Sequence, residues 1–326
     1  MTPVTIKFRL LFMGLVVWAT GANAFAQAYP AKPIRLICPF AAGATTDLVA
    51  RAIATELSNR VGQPVIVENR AGGGGNPGTE FVAKSAPDGY TLAFVPSGNI
   101  VINPYLFKSL GFDPATDLTP VALVAEAPQY LVVSSTLQVR SLRELIDYAK
   151  ANTGKFNYAS AGIGSTNHFG GHIFAQLIGV DATHIPYKGV APAITDVLEG
   201  RVQLMSVGLG PVAALVQAGK LRALAVGSKR RQSATPDIQT AAEAGLPGYE
   251  VVTWWGTMAP RGTPGDVVRQ LNRQSNLITS DAQMQKRFRE LVVEPLGGTP
   301  EEFAAVIKAD LVRWRDVVQS TGVKAE

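Results

Sequence analysis

The sequence predicts a two-domain α/β protein, and three observations carry that expectation. Short apolar runs of strand length alternate with longer amphipathic runs of helical period along the chain. A strand-like run, a loop of small residues and a helix occur in that order twice, at "FAAGATTDLVARAIATEL" (40–57) and "SAGIGSTNHFGGHIFAQLIG" (160–179). The chain has 326 residues, whereas single hydrophobic cores stop growing at about 250–300. Such alternation builds layered, mostly parallel sheets with right-handed crossovers and flanking helices.

The N-terminus is set apart first. Lys7 and Arg9 precede the apolar run "LLFMGLVVWAT" (10–20), which ends in the small-residue stretches "ANA" (22–24) and "AQA" (26–28). This is the pattern of a secretory signal peptide over 1–28, cut before Tyr29, with a cut before Phe25 as second choice. The run is shorter than the roughly 20 apolar residues of a membrane span, and no cysteine follows it to accept a lipid.

Strands are expected from their period at 34–39, 64–68 and 91–95, then at 119–125 and 129–134. Further strands follow at 156–159, 183–185, 202–207, 222–227 and 250–258. Helices are expected at 46–60, at 77–86 with Pro77 at a first helical position, and at 141–151. They continue at 165–178, 190–199, 211–218, 264–279, 281–292 and 300–320. Three starts carry a capping-box pattern: Ser141 with Glu144, Thr263 with Asp266, and Thr299 with Glu302. The strand runs near 119–134 and 250–258 are natural crossings between domains. They divide the chain into 29–127 plus 251–326 and 128–250, with a closing motion about the crossings.

Composition excludes some classes. The formal charge of +5 falls to +3 without Lys7 and Arg9, and the remaining basic residues are scattered, so nucleic acid is not an expected partner. "KRR" (229–231) is the one dense run and reads as a solvated loop. The single cysteine, Cys38, lies in an apolar strand and reads as a small buried hydrophobe. There is no G-x-S-x-G elbow, Walker loop or dinucleotide fingerprint in the required context, so no enzyme is predicted and no cofactor expected. "GGGGNPG" (72–78) reads as a flexible turn.

The two repeated loops carry the expected chemistry. Ligands of open α/β sheets bind beyond the carboxyl ends of strands, where loops lead into helix N-termini. Unpaired N–H groups there attract anions without Lys or Arg. Small residues let a ligand approach the backbone, and Gly43, Gly162 and Gly164 suit that need; Phe40, Ala41, Ala42 and Thr45 beside the first and Ala161 beside the others are further candidate ligand contacts. Ser160, Ser165 and Thr166 add hydroxyls that can donate to an anion or cap a helix. Asp47 can meet a ligand ammonium, but at the start of a helix it reads first as a cap for N–H groups and a partner for Arg51 one turn on. Ser97 and Asn99, in "PSGN" (96–99), form a third wall. His168 and His172 have the i, i+4 spacing of a metal-binding face, but no Glu or Cys completes a site. His168 is read as a ligand-side residue and no metal is expected. Of Trp254 and Trp255, which alternate along a strand, at least one is expected in the core.

The loop "PFAAGATTDLVAR" resembles the Pro-Phe, double-Gly, Asp, Ala-Arg signature of the Bug family, the periplasmic solute receptors of tripartite tricarboxylate transporters. "ENRAGGGGNPGTEFVAKSAPDGYTL", "NYASAGIGSTNHFGG", "HIPYKGVAPAITDVLEGRV" and "TWWGTMAPRGTP" are similar to that family in the same order. The resemblance implies a type II periplasmic-binding-protein fold, two α/β domains that close like a flytrap on a small carboxylate. It implies a membrane permease as partner, and with the signal peptide it places the expected protein in the periplasm; a monomer is expected. The carboxylate is a mono-, di- or tricarboxylate, an acidic amino acid or an aromatic acid. Departures from the pattern at Ala44, Ala161 and Ser206 are positions that tune ligand choice. The alternatives are a secreted α/β hydrolase and a ligand sensor that docks on a membrane signalling protein.

Overall fold

The computed structural model describes residues 29–40, 42–187 and 190–322. The expected signal peptide, with its expected cleavage sites, and Ala41 lie outside the described residues.

The chain opens with β1 (Ile34–Cys38), α1 (Thr45–Val61), β2 (Val65–Asn69), α2 (Asn76–Ala83) and β3 (Thr91–Pro96). A π-helical turn (Gly98–Ile102) then runs into the short α3 (Asn103–Leu106). β4 (Leu118–Ser134), α4 (Leu142–Ala151), β5 (Phe156–Ser160), α5 (Thr166–Ile178), β6 (Ala182–Pro186), α6 (Val190–Leu198) and β7 (Leu204–Gly208) come next. The remainder is α7 (Ala213–Gln217), β8 (Leu221–Val226), β9 (Val252–Pro260), α8 (Gly265–Thr279), α9 (Ala282–Glu290), β10 (Glu294–Pro295) and α10 (Pro300–Thr321).

The strands run in the order β2-β1-β3-β9-β4-β7-β5-β6, with β8 and β10 also on β4. β1 pairs in parallel with β2 and β3, as β5 does with β6 and β7, so each half keeps the expected parallel core. β9 runs antiparallel to both β3 and β4. β4 ties the halves together. Its Leu118–Pro128 stretch pairs with β9, and its Gln129–Ser134 stretch with β7 and β8. The two strands expected at 119–125 and 129–134 are thus one 17-residue strand. Its prolines do not break it because a proline, which cannot donate to a ladder, is tolerated at an irregularity. Pro120 sits at a register shift and Pro128 where the strand changes partners.

Helices pack their apolar faces on these sheets. One cluster gathers Val49, Ile53 and Leu57 of α1 with Leu36, Phe94, Leu271 and Phe288. A second lies under α6 on the other half, with Val197, Met205 and Val132. The largest spans both halves through α10, where Trp314 meets Phe169 of α5 edge-on at 5.6 Å. Both adjacent tryptophans are buried on opposite sides of β9, Trp254 donating to Asp310 Oδ2 and Trp255 to Thr46 Oγ1. Cys38 is buried and free.

Two of the three capping patterns act. Thr299 and Glu302 form a reciprocal capping box, and Ser141 Oγ accepts from Glu144 N. The third does not, because Thr263 turns its hydroxyl back to Pro260 O and Pro264 takes the cap position.

Candidate functional site

A cleft of about 530 Å³ opens between the two halves, and both repeated loops line it. Phe40 and Thr45 come from the first loop and helix start, and Ala161, Gly162, Gly164, Ser165 and Thr166 from the second. Asn99 contributes from the turn after β3. None of the described lining residues has a charged side chain.

The first loop is fixed from behind. Asp47 accepts from Gly43 N at 2.8 Å and Arg51 Nε at 3.0 Å through Oδ2, and from Asn69 Nδ2 at 2.8 Å through Oδ1. Asn69 also donates to Phe40 O. Burial pushes the Asp47 carboxyl upward, but the hydrogen bonds from Arg51, Gly43 and Asn69 together outweigh it and hold it below the usual range. Asp47 is therefore spent on holding the loop, while Ala42 and Gly43 lie exposed outside the cleft.

The second loop is fixed by hydroxyls and rings. Ser165 Oγ accepts from His168 N and donates to Gly162 O, so it caps α5 and has no proton left for a ligand. Ser160 sits beneath, fully buried, accepting from Gly162 N and sharing a 2.6 Å hydrogen bond with His184 Nε2. His168 is buried behind the loop, not in the cleft wall, and its Nδ1 accepts from Gly164 N at 3.2 Å. Its ring stacks on His184 with centroids 3.9 Å apart. Burial pushes both imidazoles down to about 4; the His184 charge adds to the effect at His168. His172 faces elsewhere, to Ser320 Oγ. The His168–His172 spacing thus does not bring the two rings to one ligand.

Ser97 is buried between Pro96 and Gly98, which do line the cleft. Ser206 lies behind α5, bonded to Tyr249 and packed where a Cβ on Gly170 would fall. By contrast, no hydrogen bond involves the side-chain hydroxyl of Thr45 or Thr166 among the described residues. Both are first residues of helices whose opening N–H groups have no intrahelical partner.

Several wall residues have no sequence pattern to announce them. Ile102, Leu106 and Phe107 enter because the chain coils after β3, and Asn103 Nδ2 and Asn99 Nδ2 both donate to Gly74 O. Asn99 Oδ1, buried, keeps no partner among the described residues. Gln129 lines the cleft where β4 changes partners and accepts from Asn167. Val292, also in the wall, has φ 56°, a conformation that costs a β-branched residue strain. Such strain gathers at ligand-holding sites.

Comparison with known proteins places this geometry. Residues 49–323 match the model of the tripartite tricarboxylate transporter family receptor. BugT of Bordetella pertussis is 36% identical over 97% of this chain and 98% of its own length. Among solved structures, Rpa4515 of R. palustris with adipate is 38% identical, with TM-score 0.78 over 91% of this chain and 99% of that one. MatC from Rhodopseudomonas palustris with bound malate is 34% identical, with TM-score 0.73 over 89% of this chain and 100% of that one. The periplasmic binding protein BugD is 36% identical, with TM-score 0.74 over 91% of this chain and 100% of that one. The two-domain fold of periplasmic solute-binding proteins is therefore the fold of this chain, and the protein belongs to the tripartite tricarboxylate transporter receptor (Bug) family.

Proposed function

We propose that this protein is a periplasmic receptor that encloses a small carboxylate between its domains and delivers it to the membrane permease of a tripartite tricarboxylate transporter. The observation that carries the reading is the convergence of two helix N-termini, with the hydroxyls of Thr45 and Thr166 uncommitted among the described residues, on one cleft whose described walls have no charge. Helix ends of this kind hold an anion through fixed N–H groups and partial positive charge. The carboxylate head meets Thr45, Thr166, Ala161, Gly162 and Gly164, while Phe40 and Asn99 wall the remainder. Asp47, Ser160, Ser165 and His168 position the loops. The relatives bound to adipate and malate support a carboxylate ligand.

The change of partners on β4 near Pro128 and the pairing of β9 with both β3 and β4 support domains at 29–127 plus 251–326 and 128–250. The sequence's signal peptide and the periplasmic relatives support export. A thermal-shift screen of the chain from Tyr29 against mono-, di- and tricarboxylates, amino acids and aromatic acids tests the reading. A ligand at 100 times its Kd stabilises by about 2.7 kcal/mol. Equilibrium dialysis should return that ligand chemically unchanged. Stabilisation by no carboxylate refutes the receptor, and recovery of a hydrolysed product refutes it in favour of an enzyme.

A further inference from the structure

We propose that the cleft selects carboxylates with an apolar body, alkyl or aryl, over short hydroxylated acids, and that Ile163 is the residue that grips that body. The inference rests on the carboxylate reading above and names its ligand class.

Ile163 is a large hydrophobe left 64% exposed. Its place follows from the backbone: it stands between Gly162 at φ 136° and Gly164 at φ 79°, conformations open to glycine, so the loop presents it at its tip. Scattered exposed hydrophobes are ordinary on protein surfaces. This one differs because it lines a concavity with other apolar side chains, Ile102, Leu106, Phe107, Val190 and Leu209. The loop tip also abuts the opposite half. A Cβ placed on Gly164 would lie 2.7 Å from Leu106 Cδ2, which puts the Ile163 loop against α3 across the cleft.

The hydroxyls without a hydrogen bond among the described residues, Thr45 and Thr166, stand at the helix starts, and the apolar group lines the same cleft. A ligand whose head is held there carries its body into the Ile163–Leu106 wall. A hydroxylated body would lose water at that wall and gain no partner in return. An apolar body covers Ile163 and gains affinity with each buried methylene, by about fourfold.

Calorimetry with the chain from Tyr29 tests this with a matched series: acetate, butanoate, hexanoate, benzoate and malate. The expected result is a rise of about fourfold per methylene from butanoate to hexanoate, with malate weaker than hexanoate. Ile163→Ser should weaken hexanoate about five- to tenfold, leave acetate unchanged and leave the melting temperature unaltered, because the side chain supports no core. Leu277→Ser, which alters another exposed hydrophobe 53% accessible on α8, should change none of these affinities. Equal affinities along the series, malate tighter than hexanoate, or full hexanoate affinity in Ile163→Ser would each overturn the assignment while leaving a carboxylate receptor intact. Failure of every carboxylate, including those of the wider screen, would overturn the receptor reading and this inference with it.

Discussion

Replacing Gly164 by alanine separates a residue needed for a turn from one needed for a ligand. Gly164 has φ 79°, and a left-handed conformation costs a non-glycine residue about 1–2 kcal/mol. The added methyl also meets Leu106 Cδ2 at 2.7 Å, but this is the end of a flexible side chain and can rotate away. Stability should therefore fall by about 1–2 kcal/mol, a few degrees in melting temperature at this chain length. Gly154 is the matched control: φ 76°, with nothing within 4 Å of its Cβ position. Gly154→Ala should show the same stability loss and no change in carboxylate affinity. Gly164→Ala, whose methyl displaces the Leu106 side chain within the cleft wall, should lose at least about tenfold in affinity, equal to about 1.4 kcal/mol. Gly74 cannot serve as a control, because it lines the cleft and its carbonyl anchors Asn99 and Asn103. Melting and calorimetry on the same preparations decide. Equal stability losses with equal, parental affinities would show that Gly164 serves its turn alone.

Three further outcomes follow from the same geometry. His168 and His184 are held neutral with pKa values of about 4, below the ordinary 6.5, so the unfolded chain binds more protons between those values. Stability should be flat above pH 7 and fall as pH drops from 6.5 towards 4, by about 2–3 kcal/mol for the buried His168; urea melts of His168→Asn that retain the full slope would refute this. Ser165→Ala should cost about 1 kcal/mol of stability through loss of the α5 cap. Thr166→Val should leave stability alone and weaken carboxylate binding about two- to tenfold, so thermal and calorimetric data that assign the two effects the other way round count against the site. Asp47→Ala strips a buried acceptor from Arg51, Gly43 and Asn69 and should cost about 1–3 kcal/mol, seen as a lower urea midpoint with unchanged slope; an unchanged midpoint would show the network idle.

The α/β class, the alternation of elements and the two strand–loop–helix units are legible in the sequence because they rest on local period and on residues at helix starts. The Thr299–Glu302 box and the Asp47–Arg51 pair are local in the same sense, one turn of helix apart. The resemblance carried by the loop motifs reaches the family for a similar reason: those loops are contiguous. What the tertiary structure decided is which side of each loop meets the cleft. Ser160, His168 and Ser206 are polar residues near the right strand ends, yet each is turned inward to a partner distant in sequence: His184, His184 and Tyr249. Pro120 and Pro128 suggest two strands, yet β4 runs through both because sheet pairing, not local propensity, sets where a ladder can lose a donor. The apolar wall of Leu106, Phe107, Val190, Leu209 and Val292 comes from segments with no common spacing. Burial against another element is a property of chain placement in three dimensions, and no period along the sequence records it.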